Sequence, residues 1–216
     1  VANGDMEMHT AGSLRNGQLV WALAKVHYGF ELFKGDQVDS YLLFSNPHQF
    51  GKAIDVRFTA IRVVCNNTLT LSLNGSAARG VSLNHRHVFD PSKVNETLGI
   101  ATGNLQRYKE MAEFLGSKQY KKETVVEYFN RVFPSTSKAK EEEKQTASRM
   151  ARLAYEGLEL QPGAEYAEGS WWQAFNSVTY LTDHRGGRSV DNRLNSAWFG
   201  GNKDRKINAL NLAMEF

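Results

Sequence analysis

Ile54-Asp55-Val56-Arg57-Phe58-Thr59 alternates apolar and polar residues with a period of two. Successive side chains of an extended chain point to opposite faces, so this stretch reads as a strand with one buried face. The β-branched run Ile61-Arg62-Val63-Val64-Cys65 continues it. Asn66-Asn67-Thr68 interrupts, and Leu69, Leu71 and Leu73 then resume the alternation. Upstream, Tyr41 to Phe44 is a short apolar run ended by the turn cluster Ser45-Asn46-Pro47-His48. Gln18 to Val26 is an apolar, Trp-containing segment preceded by Arg15-Asn16-Gly17, and Asn-Gly is a strong hairpin signal. Val81 to Phe89 alternates once more. The first half of the chain is therefore expected to be an antiparallel sheet.

The pattern changes at Asp90-Pro91-Ser92, where Asp suits an N-cap and Pro the first helical position. A helix is expected from there towards Leu115, weakened in its middle by Gly99 and Gly103. Val125, Val126, Phe129, Val132 and Phe133 have helical spacing within Lys122 to Phe133, and Pro134 ends that helix. Lys138 to Leu158 reads as a helix with a charged face, broken by Gln161-Pro162-Gly163. Ser170 to Leu181 and Arg205 to Met214 read as the last two helices, joined by a loop rich in glycine and arginine. There is no internal repeat and no low-complexity linker. The expected architecture is α+β, with a β-rich part at 1–90 and a helical part at 91–216 sharing one continuous domain.

At 216 residues the chain is long enough for one sizeable core. Its 41% hydrophobic and 23% charged content is that of a soluble globular protein. No window approaches the roughly 18 apolar residues of a membrane span. The chain starts at Val1 rather than Met, as a fragment or trimmed chain would, and no basic-then-apolar leader pattern follows. One cysteine, Cys65, excludes an intrachain disulfide and fits a reducing cytoplasm. The formal net charge of +3 is modest. It is concentrated, however, between Asp183 and Lys206, where Arg185, Arg188, Arg193, Lys203, Arg205 and Lys206 face only Asp183, Asp191 and Asp204. Such a local surplus steers an anionic partner even when the total is small.

Several motifs bear on chemistry. His85-Arg86-His87 on a strand places both histidines on one face, as two metal ligands would be, but no third ligand stands at motif spacing. Asp183-His184 resembles half of a carboxylate–histidine relay, although neighbours on a helix do not face one another. Cys65 sits among apolar residues, as a buried structural thiol does, and Asn66 and Asn67 suit the capping of backbone groups at a strand end. Gly186-Gly187 and Gly200-Gly201 lack the Gly-x-x-x-x-Gly-Lys-Ser/Thr order of a P-loop, so no nucleotide cofactor is expected. Trp172, Phe175 and Thr179 share a helical face and read as core, whereas aromatics left beside arginines, such as Trp198 or Phe199, would stack bases.

The residues Val20-Trp21-Ala22-Leu23-Ala24-Lys25, Tyr41-Leu42-Leu43-Phe44-Ser45-Asn46, Val56-Arg57-Phe58-Thr59 and Arg62 to Leu69 carry a resemblance. So do His85 and the C-terminal pattern Trp172…Phe175-Asn176…Asp183-His184…Arg188…Arg193…Ser196…Phe199-Gly200…Lys206…Ala209-Leu210. From about Trp21 onward the chain resembles the phage- and plasmid-associated family called domain of unknown function 932. The resemblance implies a mobile-element protein. By analogy of fold alone, it also implies relatedness to phage single-strand annealing proteins, which hold DNA as rings or filaments without ATP.

The expectation is thus a single-stranded-DNA-binding, annealing-type protein of phage or plasmid replication or recombination, working as a homo-oligomer in the cytoplasm of a bacterial host, with no cofactor and no catalytic residue. Arg185, Arg188, Arg193, Lys203 and Lys206 would meet phosphates, joined from the sheet by Arg57, Arg62 and Arg86, and Trp198 or Phe199 would stack bases. Two alternatives stand beside it. One is a metal-dependent nucleic-acid enzyme gathering His85, His87, Asp183 and His184. The other is a module that binds a host protein.

Overall fold

The computed structural model describes residues 6–64, 67–70, 81–83, 91–135 and 148–216. Among the described residues six strands, β1 (Met6–Leu14), β2 (Leu19–Glu31), β3 (Gln37–Pro47), β4 (Ile54–Arg62), β5 (Asn67–Thr70) and β6 (Val81–Leu83), form one antiparallel sheet. Its order is β1-β2-β3-β4-β5, and β6 shares the outer edge of β4 with β5. β5 pairs with the Thr59–Arg62 half of β4 and β6 with the Ile54–Val56 half. The expected Asn-Gly hairpin joins β1 to β2: Asn16 and Gly17 have φ of 55° and 84°, and the Gln18 amide donates to the Arg15 carbonyl at 3.2 Å. Two positive φ values are what a type I′ turn needs, and its twist suits the strands that it connects.

Strand β1 was not expected. Only its end residues Met6 and Leu14 are buried, so it carries no alternation to read. It is an edge strand held by its ladder to β2.

Six α-helices follow among the described residues: α1 (Pro91–Ser117), α2 (Lys122–Val132), α3 (Arg149–Leu160), α4 (Trp171–Tyr180), α5 (Val190–Phe199) and α6 (Gly201–Ala213). Three begin at a serine whose hydroxyl accepts an amide three residues on: Ser148 from Ala151, Ser170 from Gln173, and Ser189 from Asn192. Each such cap stabilises its helix by about 1 kcal/mol. The α3 helix is shorter than expected; residues 136–147 lie outside the described set. The α5 helix, predicted as loop, is a real helix between the two glycine pairs, and Gly200 alone separates it from α6.

The sheet is covered on both faces. Ala24, Val26, Val38, Leu42, Val56, Phe58 and Ala60 point into the main core with α1, α2, α3, α4 and α6. Leu23, Tyr41 and Leu43, which alternate with them, meet Ala197 and Trp198 of α5 on the opposite face. A single helical layer was expected; α5 instead crosses to the far side. The α4 helix lies at the centre, with every residue from Trp171 to Thr179 buried. Trp172 and Phe175 are fully enclosed, and burial of each such side chain contributes about 1.5–3 kcal/mol.

Candidate nucleic-acid interface

The cations proposed from sequence separate into three groups. The first is buried. Arg62 follows Val56, Phe58 and Ala60 on the core face of β4 and is only 3% exposed. Its guanidinium forks onto Asp36, Nε to Oδ1 at 2.5 Å and Nη2 to Oδ2 at 3.0 Å, and Nη2 also donates to the Gly163 carbonyl at 2.9 Å. Trp172 Nε1–H donates to the same Asp36 carboxylate at 3.0 Å. Gly163 has φ of 76°, and a Cβ there would stand 2.7 Å from Val64 Cγ1, so the approach to Arg62 depends on glycine. Lys206 is wholly buried, with Nζ donating to Asp183 Oδ1 at 2.7 Å. Burial lowers the pKa of its ammonium, and the Asp183 charge opposes that shift. Neither cation reaches a phosphate. The expectation that Arg62 and Lys206 bind nucleic acid is corrected: each neutralises a buried carboxylate, because an unpaired charge in the core is prohibitive. Trp198 is likewise removed from base stacking, being 4% exposed and edge-on to Trp21 at 4.7 Å between ring centroids. Phe199 is half-buried against Trp198.

The second group is surface charge already matched. Arg57, on the α5 face of β4, is paired with Asp55. Lys203 meets Asp204 at 3.1 Å with its side chain 15% exposed.

The third group lies along the connection from α4 into the first turns of α5. After α4 the chain makes a π-helical turn at Leu181–Arg185, closed by the Gly186 amide on the Leu181 carbonyl at 3.0 Å. Gly187 then adopts φ of 88°, packed against Arg193, and Arg193 Nη1 donates to the Gly186 carbonyl at 3.4 Å. Arg185 and Arg188 point outward and are exposed. Among the described residues neither makes an ion pair. The β1–β2 turn docks on this segment. The Arg15 amide donates to both carboxylate oxygens of Asp191 at 3.3 and 3.2 Å, and Arg15 Nε donates to Asn195 Oδ1 at 3.0 Å. Asp191 is thereby occupied by a backbone amide in the first turn of α5. Arg185, Arg188 and Arg193 form a basic edge along this connection, and the turn that carries Arg15, to which no sequence pattern points, borders it. Only the meeting of chain segments 176 residues apart reveals it.

Behind that edge the two motifs of the resemblance meet. Asn67 donates its amide hydrogens to the Asn176 carbonyl at 3.2 Å and Thr179 Oγ1 at 2.7 Å, which turns its Oδ1 towards His184 Nε2 at 3.1 Å. His184 Nε2 is therefore the protonated ring nitrogen in this contact. Asn67 does cap a backbone carbonyl, as expected, but one of α4 rather than of its own turn. Among the described residues no three His, Cys, Asp or Glu side chains stand together as metal ligands would. Asp183 holds Lys206, and His184 holds Asn67. His85, Arg86 and His87 lie outside the described residues, as do Cys65 and Asn66.

The family model for the domain of unknown function 932 matches residues 1–198, so the chain belongs to that family. The match spans the sheet and the helices up to α5; α6 follows it. No curated protein and no solved structure matches the chain. Among the described residues no helix is long and apolar enough to cross a membrane.

Proposed function

We propose that this member of the domain of unknown function 932 family binds single-stranded DNA along the edge formed by Arg15, Arg185, Arg188 and Arg193. It would act without ATP in annealing-type steps of phage or plasmid replication or recombination, in the cytoplasm of a bacterial host. The observation that carries this reading is that Arg15, Arg185 and Arg188 are exposed and Arg193 half-buried around the α4–α5 connection, while Lys203 and Lys206 of the same sequence stretch are paired with carboxylates. Arginine forks suit phosphate oxygens, and displacement of condensed counterions supplies the binding free energy. Four arginines give too few phosphate contacts for tight binding by one subunit. Several copies on one strand, as a homo-oligomer, would raise the avidity.

A metal-dependent enzyme is the weaker reading, because the Asp183 carboxylate that it requires already holds the Lys206 ammonium.

The test is fluorescence anisotropy of a labelled single strand with a duplex competitor, at low and physiological salt. Binding that prefers the single strand and weakens steeply with salt is expected. No binding at low salt by the folded chain would overturn the reading and favour a protein partner.

A further inference from the structure

The basic edge has a neighbour that phosphate binding alone does not use. Strand β3 ends at Pro47 and β4 begins at Ile54, so the loop between them lies at the same end of the sheet as the β1–β2 turn. The two are tied together: the His48 amide donates to the Gln18 carbonyl at 2.7 Å, and Gln18 closes the turn that contains Arg15. The loop itself is a tight turn, with the Lys52 amide on the Gln49 carbonyl at 3.1 Å and Gly51 at φ of 77°. Positive φ at the third residue of a four-residue turn is the mark of type II, and it leaves Phe50 at the corner. Phe50 is 101% exposed, against 56% for Tyr28 and 62% for Val190. A lone exposed apolar residue is ordinary. Phe50 differs in standing on a hydrogen-bonded corner, flanked by exposed Lys52 and braced to the arginine-bearing turn.

We infer that Phe50 is the base-stacking residue of this interface, taking the place that the sequence suggests for Trp198 or Phe199. The inference rests on the single-strand reading above. A phenyl ring has two side-chain torsions, so little freedom is lost when a base lies on it. The braced turn holds the ring beside Lys52 and the turn of Arg15, cations that would track the backbone. Cations for phosphates with an aromatic platform for bases is the arrangement that single-strand binders use, and it tolerates any sequence because every base has a π-face. The ligand is a single strand whose bases are unpaired; a closed duplex offers the ring no face.

The experiment compares wild type and Phe50→Ala on two labelled probes with equal phosphate counts, an oligothymidylate and an abasic strand. Wild type is expected to prefer the base-bearing strand. Phe50→Ala should lose about 5- to 100-fold in affinity for it, with affinity for the abasic strand and the salt slope unchanged. Phe50→Trp should restore binding, with quenching of the new indole. The ring is fully exposed, so an unchanged melting temperature verifies the fold. Equal binding of oligothymidylate by wild type and Phe50→Ala would overturn the inference while leaving the arginine reading intact. Failure of wild type to bind either strand at low salt would overturn both. Phe50-dependent binding to anionic phospholipid vesicles, without binding to either strand, would reassign the loop to a membrane surface.

Discussion

At the centre of the molecule Arg62 and Lys206 each meet a carboxylate and almost no water, whereas on the α4–α5 connection Arg185 and Arg188 face solvent. Lys206 and Arg188 belong to one basic stretch of sequence, yet one secures the fold and the other is available to a ligand. The contrast teaches that a local charge surplus locates an interface only after the buried pairs have been subtracted. Once Lys206 with Asp183, Lys203 with Asp204 and Arg205, which bonds Asn202 and lies over the Phe133 ring, are set aside, the remaining cations of the stretch line the α4–α5 connection, where the turn bearing Arg15 docks from the opposite end of the chain.

The largest effect that would break this comparison is expected at Lys206. Lys206→Met strands the Asp183 carboxylate in the core and should cost about 3–5 kcal/mol in urea unfolding. Adding Asp183→Leu should recover a large part of that loss, since an apolar pair of similar volume needs no charge compensation. A single variant within about 0.5 kcal/mol of wild type would return Lys206 to the surface. Next is Trp198→Ala, which removes a buried ring from the far face of the sheet and should destabilise by about 3 kcal/mol. Retained stability with weakened DNA affinity would instead make Trp198 a ligand contact.

A third effect appears in alkali. Burial raises the Tyr128 pKa, and its hydroxyl donates to the Ala209 carbonyl at 3.2 Å. The unfolded chain releases this proton near pH 10 while the folded chain keeps it. The stability contributed is therefore complete below about pH 10 and declines above it, by up to about 1.4 kcal/mol per pH unit. Tyr41 and Tyr120 are raised by burial and act in the same direction, whereas Lys206, lowered by burial, acts in the opposite one until about pH 10.5. The comparison of interest is thus between Tyr128→Phe and wild type, and the variant should show the shallower decline above about pH 10. Equal slopes would contradict the burial of that hydroxyl. Smaller still, Gly103→Ala in α1 should stabilise by about 0.5–1 kcal/mol, because a Cβ there meets nothing within 4 Å. A loss of stability would show a closer neighbour.

Much of this contrast is within reach of the sequence. Period-two alternation puts Arg62 on the face of Val56, Phe58 and Ala60, opposite Arg57. Helical spacing puts Lys206 on the stripe of Ala209, Leu210 and Ala213. Both signals mark buried cations, and both are masked when every Arg and Lys is counted as surface charge. The Asn16-Gly17 hairpin, the β4 alternation and the change to helices at Pro91 are legible because local chemistry sets them. Strand β1 and helix α5 are not. The first buries only its ends, and the second is a polar segment between glycine pairs whose helicity depends on Ser189 and on Trp198 packing against the sheet. Arg15 and Phe50 escape any reading of the sequence, because their meaning comes from turns that meet only in the folded chain.

The central claim is that the exposed arginines, and not the buried cations, meet nucleic acid. Its most direct test is the salt dependence of single-strand binding by wild type and by the Arg185→Ala, Arg188→Ala double variant. The variant should keep its stability within about 0.5 kcal/mol. Its log–log salt slope should be shallower by about 1.4, because each phosphate left unneutralised removes roughly 0.7 from the slope. An unchanged slope and affinity in the folded double variant would contradict the claim.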